Sequence, residues 1–126
     1  MIRSLDHLVL TTVDEAACIA FYVDLLGMRL ERFGEGRKAL RFGDQKINIH
    51  VKGQEYEPKA HLPVPGALDL CFLLEVPLED ALATLRKNGA QIVDGPVLRS
   101  GATGRLRSIY LRDPDLNLVE LSERVS

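Results

Sequence analysis

Tyr110-Leu111-Arg112-Asp113-Pro114-Asp115-Leu116-Asn117-Leu118-Val119-Glu120-Leu121 places two short apolar runs on either side of a turn. Asp-Pro opens that turn, Pro114 fixes φ, and Asp115 and Asn117 tolerate tight backbone geometry. The stretch predicts a β-hairpin whose last strand carries one carboxylate, Glu120, among Leu118, Val119 and Leu121. Alternation puts Leu118, Glu120 and Ser122 on one face and Val119 and Leu121 on the other. On an open edge Glu120 is an ordinary solvated acid. On a covered face it needs a partner, because an unpaired buried carboxylate is expensive.

Upstream, the same grammar is written twice. Leu5–Thr12 reads as a strand, Asp14 caps a helix carrying Ala17, Ile19, Ala20, Phe21 and Val23, and Gly27 ends it. Met28–Phe33, Arg37–Phe42 and Lys46–Val51 follow as strands. Lys52–Gly66, with Pro58, Pro63 and Pro65, reads as a linker. Then come a strand over Leu68–Val76, a helix from Pro77 to Gly89, and strands over Ala90–Val93, Leu106–Leu111 and Leu118–Glu123. Leu5-Asp6 and Leu68-Asp69 lie 63 residues apart, and the helix-ending glycines 62 apart. The expected fold is α+β: two tandem βαβββ modules, residues 1–52 and 67–126 joined by 53–66, forming one domain. Their sheets are expected to curl round a shared cavity with the helices outside.

The chain has 126 residues, 46% hydrophobic and 27% charged, with a net charge of −2 and no basic cluster. That balance argues against nucleic acid or an anionic membrane as partner. No apolar run approaches spanning length, and the expectation is a cytoplasmic chain. Cys18 and Cys71 fall in apolar patterns and are expected as buried, unpaired thiols.

Counting back from the last strand of each module aligns His50 with Glu120, each beside alternating apolar neighbours; His7 aligns with Leu70. His7, His50 and Glu120 are thereby expected to point inward from three strands. Imidazole and carboxylate suit one divalent transition metal (Zn, Ni, Co, Mn or Fe), with positions left for water and substrate. By the same parity Arg41, Ser108 and Tyr110 face inward as substrate-binding candidates. Arg41 either holds a substrate anion or pairs with an acid such as Glu31. His61 reads as a loop residue, and Arg99, Gly101, Gly104 and Arg105 as a Gly-rich loop.

Three motifs then carry a resemblance. They are Leu5-Asp6-His7-Leu8-Val9-Leu10, Phe21-Tyr22 followed by Leu25-Leu26-Gly27-Met28, and Asp113-Pro114-Asp115 leading to Asn117-Leu118-Val119-Glu120. Together they resemble the vicinal oxygen chelate superfamily, which includes glyoxalase I, extradiol dioxygenases, and fosfomycin- and bleomycin-resistance proteins. Gly43–His50 with Glu57-Pro58-Lys59-Ala60 is similar to its small lactoylglutathione-lyase-like subgroup. The resemblance carries the metal ligands onto His7, His50 and Glu120, with Glu120 as the catalytic base. It departs at Leu70, where glyoxalase I and the dioxygenases place a His, and at His50, where glyoxalase I has a carboxylate. Leu116 stands where the superfamily commonly has Gly. The resemblance implies a metal-dependent glyoxalase-like lyase or isomerase acting on a small molecule through neighbouring oxygens. An Fe(II) extradiol-type dioxygenase and a metal-free binding or resistance protein are the alternatives. Unpaired sheet edges add the expectation of a homodimer.

Overall fold

The computed structural model describes Met1–Ser126 and divides into two compact units, Met1–Ala67 and Leu68–Ser126. The first contains β1 (His7–Thr12), α1 (Glu15–Ile19), a π-helical continuation (Ala20–Leu25), β2 (Arg29–Phe33), β3 (Arg37–Phe42) and β4 (Gln45–Val51). The second contains β5 (Asp69–Leu73), α2 (Leu78–Lys87), β6 (Asp94–Gly101), β7 (Gly104–Arg112) and β8 (Leu118–Arg124). Each unit is βαβββ. Each forms an open four-stranded mixed sheet, in the orders β1-β4-β3-β2 and β5-β8-β7-β6. The outer pairs β1/β4 and β5/β8 are parallel and the others antiparallel. The α+β class and the repeat are as the sequence predicts.

Local chemistry explains the helices. The Asp14 carboxylate accepts from Ala17 N–H at 3.1 Å, and Gly27, at φ 83°, ends the first helix. Before that end the Leu26 N–H reaches the Phe21 carbonyl, five residues back, at 3.1 Å. Helix α2 buries Leu78, Leu82 and Leu85 as one stripe, with Glu79 and Asp80 in its first turn and Arg86 and Lys87 in its last. The Leu78 N–H donates to Glu123 Oε1 at 2.7 Å, and Arg107 bridges Glu123 and Glu79. These bonds tie the start of α2 to β7 and β8.

Three local expectations are corrected. The strand expected at Ala90–Val93 runs instead over Asp94–Gly101. The strand runs through Gly95-Pro96 because β6 is an edge strand, where Pro leaves no ladder bond unmade. Gly95, at φ 95°, absorbs the irregularity that shifts the register between Asp94 and Val97. The segment expected as a Gly-rich loop is the β6–β7 hairpin, closed by the Gly101↔Gly104 pair. Cys18 is buried as expected, but Cys71 is exposed.

The turn between β7 and β8 is built on Asp113. Its carboxylate accepts from the N–H groups of Asp115 and Asn117, both at 2.9 Å, and from the Asn117 amide at 2.8 Å. Asn117 Oδ1 in turn accepts from Leu68 N–H at 2.8 Å, pinning the entry to β5. Leu116 pays for this turn with a φ of 70°, the one non-glycine residue in that region. Its side chain is 66% exposed, so little burial holds it there. Leu116→Gly is expected to raise unfolding stability by about 0.5–1 kcal/mol, left-handed strain outweighing the entropy of the added glycine. Urea melts of the two proteins measure it; a loss of stability refutes it. No helix is long and apolar enough to cross a membrane.

Candidate functional site

In a parallel ladder, residues at one level share a face. His7, Val9 and Thr11 therefore share a face with Lys46, Asn48 and His50, level by level. Leu8 and Leu10 share the opposite face with Ile47 and Ile49. The expected parity of His7 and His50 holds, but their levels differ. His7 is opposite Lys46 at one end of the ladder, whereas His50 is opposite Thr11, four residues further on. At about 3.3 Å per residue that offset is about 13 Å. Two imidazoles on bonds of about 2 Å do not reach one ion across it. The first unit thus does not bring His7 and His50 together.

The two rings also have different surroundings. His7 is exposed, and its Nδ1 lies 2.8 Å from Asp6 Oδ1, which fixes the proton there and leaves Nε2 as a free donor atom for a metal. A carboxylate behind the far ring nitrogen is the usual support of a metal-binding His. His50 is only 3% exposed, stands edge-on to Tyr56 at 5.5 Å between ring centres, and has no hydrogen-bond partner at Nε2. Asn48, two residues earlier on the same face, likewise has no partner at Oδ1 and is 4% exposed. Arg41 donates from Nε to Glu31 Oε2 at 3.2 Å, the ion pair that was one of its two expected roles.

Burial holds the His50 imidazole below its ordinary pKa, and Arg37 pushes the same way against Glu55. The unfolded chain therefore takes up the proton more readily than the folded one. The His50 contribution is complete above about pH 6.5 and is lost as pH falls toward the depressed native value. The urea midpoint is expected to drop between pH 7.5 and pH 5.5, and less so in His50→Gln. An equal drop in the variant would assign the effect elsewhere.

The second sheet corrects how the two halves align. Cys71 is opposite Glu120 and Asp69 opposite Leu118, while Leu70 and Phe72 share the other face with Val119 and Leu121. Leu70 is thus on the wrong face to be the counterpart of His7. The residue that opens the second ladder, as His7 opens the first, is Asp69, 62 residues on. Two residues beyond the opening level stand Asn48 in β4 and Glu120 in β8; His50 corresponds to Ser122. The Leu-Asp dipeptides, rather than the helix-ending glycines, set the offset that points to Leu70 instead of Asp69, and counting back from the last strands, where parity is the same for both, points to His50 instead of Asn48.

Around Glu120 the side chains form a connected group. Ser122 Oγ donates to Glu120 Oε2 at 3.3 Å, lies 2.6 Å from Ser108 Oγ, and lies 3.4 Å from Cys71 Sγ. Tyr110, opposite Glu120 on β7, accepts at its hydroxyl from Arg99 Nε at 2.9 Å. Partial desolvation against the sheet raises the Tyr110 pKa and also that of Cys71, although Cys71 keeps an exposed surface, and the Glu120 charge adds to both. Both groups stay protonated at neutral pH. A cavity of about 460 Å³ opens here, walled by Glu120, Cys71, Leu73, Leu106, Arg99 and Arg124 among others. The expected substrate contacts Tyr110 and Ser108 are not among its lining residues; Tyr110 is bonded to Arg99 and Ser108 to Ser122. No three His, Cys, Asp or Glu side chains come together as a ready-made metal cage.

Residues 4–121 match the Glyoxalase/Bleomycin resistance protein/Dioxygenase superfamily. The chain belongs to that superfamily. It is 56% identical over 121 residues to Glyoxalase domain-containing protein RDO1 of Mycosarcoma maydis, covering 96% of this chain and 68% of that protein. It is 50% identical to Virulence protein STM3117 of Salmonella typhimurium, whose crystal structure superposes with a TM-score of 0.97 over 99% of both chains. A lactoylglutathione lyase from Agrobacterium tumefaciens shares the fold at a TM-score of 0.71 and 21% identity, covering 95% of this chain and 92% of that one. At that identity the likeness is of fold alone. Within the superfamily the chemistry has to be argued from the side chains.

Proposed function

We propose that the chain is a divalent-metal-dependent, glyoxalase-like lyase or isomerase of a small molecule with neighbouring oxygens, and that Glu120 is its general base. The observation that carries this is a carboxylate on the wall of a 460 Å³ cavity, held at one oxygen by Ser122 and with no cation within ion-pair distance. Ser122 orients the carboxylate, and Tyr110 and Cys71 stand within hydrogen-bonding reach of it. The donor chemistry fits a metal: Glu120 offers a carboxylate oxygen, and His7 offers Nε2 with its tautomer set by Asp6. His7 and Glu120 are each proposed as a metal ligand. A bound ion would supply Lewis acidity toward paired substrate oxygens and acidify the C–H between them.

The chain's own groups do the rest. Glu120 takes the proton from carbon and returns it to the neighbouring carbon. Ser122, backed by Ser108, keeps the carboxylate aimed. Tyr110 and Cys71, both protonated, stand beside Glu120, and Leu73 and Leu106 keep part of the wall apolar.

Elemental analysis of the purified native chain tests this, with His7→Ala, Glu120→Gln and His50→Ala beside it. About one transition-metal ion per chain is expected, lost in the first two variants. Retention in His50→Ala follows from its place on the ladder; loss there returns His50 to the ligand set. A native chain that takes up no divalent ion favours a metal-free binding protein, and iron with catechol-dependent oxygen uptake favours a dioxygenase. A homodimer is proposed on the unpaired edges of both sheets, and sedimentation equilibrium measures it.

A further inference from the structure

We propose that the cavity of the second unit takes a small monocarboxylate with an apolar body, its carboxylate held by Arg124 and Arg99. The inference deepens the reading of Glu120 as a base and rests on it for the position of the reacting carbon.

The wall carries two guanidinium groups and one carboxylate, and no Arg lies within ion-pair distance of Glu120. Opposite charges on one small wall collapse into a pair unless other partners hold them, and here the arginines have such partners. Arg99 is fixed by three bonds or near-bonds: Nε to Tyr110 Oη at 2.9 Å, Nη1 to the Leu98 carbonyl at 3.0 Å, and Nη2 toward Asp94 Oδ2 at 3.9 Å. Arg124, near the end of β8, donates to Thr103 Oγ1 at the hairpin tip and has no carboxylate partner. One cation of the wall is therefore only half satisfied, and the wall as a whole is net positive. A planar carboxylate is the group a guanidinium fork matches with two parallel bonds.

The rest of the wall limits the body of the ligand. Leu73 and Leu106 are apolar, and Gly101 contributes only backbone; a Cβ there would lie 2.8 Å from Leu106 Cδ1. A volume of about 460 Å³ suits a ligand of fragment size. With its carboxylate on the arginines, a short ligand presents its far carbons toward Glu120.

The test uses benzoate as probe and benzamide as its uncharged isostere. Both are titrated into ¹⁵N-labelled full-length protein while the arginine Nε–H resonances are followed. Benzoate is expected to shift the Arg99 and Arg124 signals and benzamide at the same concentration to leave them in place. Arg124→Gln is expected to weaken benzoate at least tenfold, and Arg124→Lys by less. Equal response to the two probes, or unchanged benzoate affinity in Arg124→Gln, overturns the assignment. The two readings fail separately. Arg124-dependent benzoate binding in a chain without turnover leaves the clamp and removes the lyase, and turnover without such binding does the reverse.

Discussion

Glu120→Gln is expected to lower kcat for the proposed isomerisation by a factor on the order of 10²–10⁴, the range a positioned general base contributes. Gln keeps the size of the side chain and an oxygen that can still accept from Ser122, so the Ser108–Ser122 pair stays intact. What it removes is the proton acceptor and, with it, one of the proposed metal ligands. Thermal unfolding is therefore expected to change little while turnover collapses, a split that a structural role for Glu120 does not produce. Ser122→Ala, which frees the carboxylate without removing it, is expected to fall between native and Glu120→Gln. Turnover within tenfold of native in Glu120→Gln would move the base elsewhere, and the metal content of the same variant tells whether Glu120 is still a ligand.

The strand pattern was legible because alternation is a local property: each βαβββ half announces itself in apolar periodicity, in Asp14 and in the glycines that end the helices. The level of each residue on the ladder was not. Parity has a period of two, so it puts Asn48 and His50 on one face with equal force and does not choose between them. The choice is made by how β1 and β4 slide against each other, which depends on the helix and two strands that connect them. A one-residue error in offset had a larger consequence, turning the search from Asp69 to Leu70 and so to the opposite face. Arg99 was hidden for a third reason. Gly95-Pro96 and the two glycines of the hairpin tip look like loop chemistry, and only pairing with β7 makes the segment a strand that carries Arg99 to the cavity wall.

Gly95→Ala is expected to destabilise the protein by at least about 3 kcal/mol, the sum of left-handed strain and a clash with the backbone of the neighbouring strand. Gly95 sits at φ 95°, and a Cβ added there would meet the Ser108 carbonyl oxygen at 2.4 Å and Ile109 Cα at 3.0 Å. Those are backbone atoms of β7, so relief requires the two strands to part. Gly36 separates the two contributions, because it too has a positive φ, 78°, but its added Cβ meets nothing within 4 Å. Gly36→Ala is expected to cost only about 1 kcal/mol, the strain alone. Urea unfolding of both variants gives the difference. The clash also bears on the site, since Ser108 is the residue Gly95 presses against, and its hydroxyl supports Ser122 and through it Glu120. A β6 edge pushed away from β7 should disturb that support, so Gly95→Ala that still folds is expected to lose turnover beyond what its unfolded fraction explains. Should the two glycine variants cost the same, β6 yields freely at the bulge and the close approach to Ser108 is not what requires glycine there.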